Sequence, residues 1–116
     1  MNSPALVYHI TTPRSWDTAL STGELRAPSL ESEGFIHFST GVQVERSLRK
    51  FFADVEEVVL LRIAAAAVAD ALRYEPADGQ LFPHLYAPLP VDAVLEVRKL
   101  TRPAGETWSV SIVDEQ

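Results

Sequence analysis

The sequence contains no cysteine, which removes disulfides, thiolate metal sites and cysteine nucleophiles from consideration and fits a reducing compartment. Glycine is also scarce: its five residues stand singly, so no glycine-rich loop is present to cradle a phosphate. Rossmann and P-loop nucleotide binding are disfavoured accordingly. Positive charge is in short supply too, with ten Lys and Arg against sixteen Asp and Glu for a net charge of −6. Such a chain has no general attraction for phosphate backbones or anionic lipid, and a nucleic-acid partner would need a local basic pocket. The one basic cluster, Arg46, Arg49 and Lys50, reads as the solvated face of a helix. No apolar run approaches the ~20 residues that span a bilayer, and MNSPALVYHITTPRSWD lacks both the basic and the long apolar region of a secretory signal. A cytoplasmic protein with no membrane partner is the expectation.

What is present suits one domain over residues 1–116, because a chain that is 47% hydrophobic and 22% charged can bury a core without room for a second. ALVYHI, residues 5–10, has the composition of a buried strand. Thr12-Pro13 signals a helix start, Trp16 and Leu20 fall on one face, and Gly23 marks the stop, predicting a helix over 13–21. An irregular link containing Pro28 follows. In GFIHFS, alternation places Phe35, His37 and Ser39 on one face and Ile36 and Phe38 on the other, the core face. Ser39 or Thr40 then caps a helix running to about Phe52, with Gln43 in its first turn and Val44, Leu48, Phe51 and Phe52 as its apolar stripe.

EVVLLRI, residues 57–63, is almost continuously apolar and is expected at the centre of a sheet. AAAAVADAL, residues 64–72, has helix propensity and no breaker. RYEP is strand-like, Asp78-Gly79 is a turn, and LFPHLYAPLP carries too many prolines for a central strand, which leaves an edge strand or a shaped loop. VLEVRKL and TWSVSIV flank a loop and read as an antiparallel hairpin. The sum is an α+β fold with a split, largely antiparallel sheet and two or three short helices.

The chemistry centres on three histidines, His9, His37 and His84, each set among apolar or aromatic neighbours where a strand or a constrained loop would aim it. They show no ligand-pair spacing, so no metal is expected. Ser39 shares a strand face with His37 but lacks a nucleophile elbow and a nearby carboxylate. Glu75 stands alone between Tyr74 and Pro76. Tyr8, Trp16, Phe35, Phe82 and Tyr86 are suited either to a pocket for a flat ring or to the core.

YHI with Trp16, GFIHFST with Gln43, FFADVEEVVLLRI, RYE and FPHLYAPLP, in that order, resemble the bacterial and plant family known as domain of unknown function 952 over about residues 6–97. Ala87 stands where that family usually has glycine. The resemblance implies a fold similar to ADP-ribosyltransferases and a cleft for NAD or a related nucleotide as substrate. It casts His9 as the first-strand residue that contacts a ribose and His37, Ser39 and Thr40 as the wall of the nicotinamide pocket. Where such enzymes carry a glutamate that promotes transfer, the FPHLY loop offers His84 and Tyr86. Two functions stand open. One is an ADP-ribosyl or phosphoribosyl-type transferase with His9, His37 and His84 as catalytic residues and Trp16, Ser39, Thr40, Gln43 and Tyr86 holding the nucleotide. The other is a non-catalytic module that binds a small ligand or a peptide in the same cleft. A third reading makes the histidines purely structural.

Overall fold

The computed structural model describes residues 5–112 of the 116. Strand β1, Leu6–Thr11, runs into helix α1, Pro13–Thr22. The helix starts where the sequence says it should: Thr12 Oγ1 accepts a hydrogen bond from the Ser15 N–H at 3.1 Å, and Pro13 occupies the first turn. Gly23, at φ 95°, ends it in the left-handed conformation that glycine adopts without penalty.

The link expected to be irregular holds two short elements, β2 (Glu24–Leu25) and α2 (Pro28–Ser32). Pro28 opens α2 instead of preventing it, because a first-turn residue has no intrahelical N–H bond to lose. Strand β3 is only Ile36–His37; a 3₁₀ turn, Gly41–Gln43, then leads into α3, Val44–Phe51. Gln43 Oε1 accepts from the Thr40 N–H at 3.0 Å and ties that turn to its cap.

Strand β4, Glu57–Ala64, lies between β1 and β8 (Val94–Thr101), antiparallel to both. Its nearly continuous apolar run, residues 58–61 and Ile63, follows from burial on both faces. Val59, Leu61 and Ile63 join Val7, Trp16 and Leu25 in one core, while Val58 and Leu60 join Tyr8, Leu48 and Trp108 in the other.

Residues 65–71 depart from the expected helix: they form 3₁₀ turns broken at Val68, whose φ of −128° is not helical. Alanine propensity is a weak force over so short a span, and the burial of Val68 in the core outweighs it.

Strands β5 (Leu72–Ala77) and β6 (Gln80–Leu85) form a hairpin whose turn residues, Asp78 and Gly79, both have positive φ, the primed geometry that suits strand twist. The expectation of an edge strand or loop at LFPHLY is corrected here, since β6 is the middle strand of the sheet β3-β6-β5. Pro83 is tolerated because its donorless edge faces β3 just where β3 ends. Its carbonyl still accepts from the Phe38 N–H at 2.9 Å.

The chain then forms β7, Leu89–Pro90, which pairs with β2, and a 3₁₀ turn before β8. The expected terminal hairpin does not form among the described residues, and the last residue of TWSVSIV, Val113, lies outside them. Residues 107–112 contain no strand, and they dock on α3 instead. Trp108 Nε1 donates to Phe52 O, Arg49 Nε donates to Trp108 O, and the Val110 N–H donates to Glu45. Burial of Trp108 decides against continued pairing with β8.

The architecture is thus α+β, with every strand pair antiparallel. Two reciprocal bonds join the larger sheets: Tyr8 N–H to Ser39 O at 2.8 Å and Ser39 N–H to Tyr8 O at 2.7 Å. Among the described residues no helix is long and apolar enough to cross a membrane.

Candidate functional site

Register places the histidines. His37 and His84 are cross-strand partners in β3 and β6, so their side chains leave the same face and their rings lie 5.3 Å apart, edge to face. Phe35 stacks on His84 at 4.1 Å and also touches the Tyr86 ring. His9 arrives from β1 through the Tyr8–Ser39 junction, which sets it beside Phe38, the rings 5.3 Å apart.

His9 is buried and its Nδ1 lies 2.7 Å from His37 O. A carbonyl only accepts, so Nδ1 carries the proton and Nε2 is a bare acceptor. Burial, with a smaller contribution from the nearby His37 ring, outweighs that bond and lowers the His9 pKa to about 4. The ring is neutral at physiological pH.

Glu75 is where the isolated reading of RYEP is corrected. His84 lies opposite Arg73, and Glu75 is two residues along β5, on the same face and diagonal to His84. Glu75 Oε1 accepts from Tyr86 OH at 2.6 Å and from His84 Nδ1 at 2.7 Å. The Tyr86 bond, then the His84 bond, hold this carboxyl below the usual range, and the same contact raises the Tyr86 phenol. With Nδ1 committed to the carboxylate, Nε2 is the His84 nitrogen left to exchange a proton, and its direction is fixed. Arg73 sits over the Tyr86 ring, 5.7 Å from its centre. Glu33 approaches His37 Nε2 at 3.3 Å, so each of the two facing histidines has its own carboxylate.

All three histidines line one open cleft of about 1070 Å³, together with Ser39 and Phe82. The α1 residue Arg14 and the α3 residues Ser47 and Phe51 border it. Ser39 and Ser47 hydroxyls are hydrogen-bonded to each other at 2.8 Å and to no histidine.

The remaining candidates lie elsewhere. Trp16 is buried in the core rather than lining the cleft, because the inward face of α1 packs on β4. Gln43 spends its amide on Leu81 O and the Gln80 side chain and, with Thr40, anchors the start of α3; neither lines the cleft. Tyr86 is outside the lining as well and acts on it through Glu75. Glu33 and Glu75 escaped the sequence reading, yet Glu75 was within reach of it. A two-residue Asp78-Gly79 turn pairs Ala77 with Gln80 and therefore Arg73 with His84, leaving Glu75 diagonal to the histidine. Among the described residues no three His, Asp or Glu side chains gather as a metal-ligand set.

A family model described as a protein of unknown function (DUF952) matches residues 10–97. Among solved structures, the crystal structure of protein CC0527 from Caulobacter crescentus is similar at 33% identity and TM-score 0.82, over 88% of this chain and 91% of that one. The solution structure of CC0527 gives 33% identity and TM-score 0.75 over 86% and 88%. No curated protein matches the chain.

Proposed function

The chain belongs to the DUF952 family of proteins of unknown function, and on that premise we propose that it is a cytoplasmic transferase-type enzyme that acts on NAD or a related nucleotide in the three-histidine cleft, on an ADP-ribosyltransferase-like fold. The observation that carries this reading is the sharing of one Glu75 oxygen by His84 Nδ1 and Tyr86 OH. A carboxylate that holds an imidazole by Nδ1 fixes its tautomer and stabilises the imidazolium formed when Nε2 takes a proton.

In the proposed reaction the glycosidic C–N bond of the nucleotide breaks and the nicotinamide leaves with the electron pair, neutral. The acceptor oxygen bonds to the anomeric carbon, and its proton passes to His84 Nε2. Glu75 stands outside the cleft lining and acts through His84, offsetting the positive charge that His84 gains with the proton. His9 Nε2, neutral and acceptor-only, suits a ribose hydroxyl. Ser39 contributes polarity to the wall beside it, and His37, paired with Glu33, serves proton exchange at the half-exposed side of the site.

A second reading, a non-catalytic binding module, draws support from the double occupation of Glu75 Oε1, which leaves that oxygen no free lone pair directed at a substrate. Calorimetry with NAD, ADP-ribose and nucleotide phosphates, combined with chromatography of released nicotinamide, separates the two. The enzyme reading expects binding, turnover, and a loss of about 10²–10⁴ in rate for His84→Ala, the range of a general base. Binding without turnover in the wild-type protein favours the module, and no heat at about millimolar ligand, where even weak specific binding registers, overturns the enzyme reading.

A further inference from the structure

Among the described residues, the sheet β1-β4-β8 ends on one side at β8, an eight-residue strand whose outer edge pairs with no other strand. After Thr101 the chain leaves this edge and crosses to α3, where Trp108 and Val110 are held. Leu95 and Val97 are 58% and 47% exposed, and Leu95 has no partner on β4 because the ladder shifts register beside it. An uncovered edge strand is a template for a further strand, and natural edges usually carry charges that reject one. This edge carries both signs in separate places: Glu96 is negative, and Arg98 and Lys99 beyond it are positive.

We propose that β8 pairs antiparallel with β8 of a second copy of this chain, making a two-fold dimer with one continuous six-stranded sheet. A dyad perpendicular to a sheet maps each face onto itself, so opposed residues must come from the same face. Centring the dyad on Glu96 or on Arg98 opposes like charges. Centring it on Val97 places Val97 against Val97 and Glu96 against Arg98 of the second copy, twice by symmetry. Glu96 keeps Arg62, 3.4 Å away, as a neighbour on its own chain. Main-chain hydrogen bonds supply the attraction and the charge order selects the register. None of these residues lines the histidine cleft, so the dimer stands or falls independently of the enzymatic reading.

Sedimentation equilibrium across a concentration series tests it. Wild-type protein is expected to dimerise. Glu96→Arg and Arg98→Glu alone are each expected to weaken dimerisation by about tenfold or more, and the double swap is expected to restore it, because exchanging both signs recreates the opposed pairs. Thermal melts establish that each variant is folded. A monomeric wild type up to about 1 mM, the weak end of specific association, overturns the proposal. Equal dimer constants for the single and double variants do so as well, since any dimer would then use another surface.

Discussion

A buried imidazole that has committed its Nδ1 proton to a carbonyl keeps one lone pair and resists a second proton. For His9 the folded chain refuses that proton until about pH 4, whereas the unfolded chain accepts it near 6.5. The folded pKa lies below the unfolded one, so between these values the unfolded state binds more protons and stability falls as the pH is lowered. The gap is worth about 3 kcal/mol by pH 4. Urea denaturation from pH 7 to 4 should show this loss in the wild-type protein and a shallower decline in His9→Gln; identical slopes would contradict the assignment. Glu75 works in the same sense at lower pH: its depressed pKa makes its pairing contribute above the ordinary carboxylate range, with that contribution lost as pH falls through the folded value.

Elements show what local chemistry decides and what it leaves to the rest of the chain. Gly79 sits at φ 79° with open space where a Cβ would project, so Gly79→Ala costs backbone strain without a clash. About 1 kcal/mol of stability should be lost, read as a lower denaturant midpoint. A hairpin held by that turn also keeps Glu75 in register with His84, so nucleotide binding by this variant is a useful second readout.

Features set within a few residues were legible in the sequence: the Thr12 cap, the Gly23 stop, the Asp78-Gly79 turn, the central β4 and the two-faced alternation of Ile36, His37 and Phe38. Features decided by distant partners were not. Pro83 looked incompatible with a central strand, and it is tolerated because its neighbour β3 stops beside it, a fact of tertiary pairing. Residues 65–71 looked helical because the pull of Val68 into the core is invisible locally. Trp16 looked available for a ligand until α1 packed on β4. The histidines were legible as candidates, while the carboxylates that direct two of them emerged only from register and loop geometry.

On the scale of the molecule, the last described segment does structural work out of proportion to its length. Trp108 is buried, donates to Phe52 O and accepts from Arg49, so it anchors the chain after β8 to the end of α3, whose Phe51 borders the cleft. Trp108→Ala is expected to cost about 3–5 kcal/mol through cavity formation and the lost anchor. Trp108→Phe keeps most of the volume and should cost much less, so near-equal losses in thermal melts of the two variants would show that the indole hydrogen bond, not packing, dominates.

The Tyr8–Ser39 junction couples the two larger sheets at the point where His9 leaves one and Phe38 the other. Adding or deleting a single residue in β1 between Val7 and His9 would therefore be read in both sheets at once. His9 would turn to the opposite face of β1 while His37 and His84 stayed in place. Length changes within the family should accordingly gather in the connections between elements, with the run from β1 into this junction held to one fixed count.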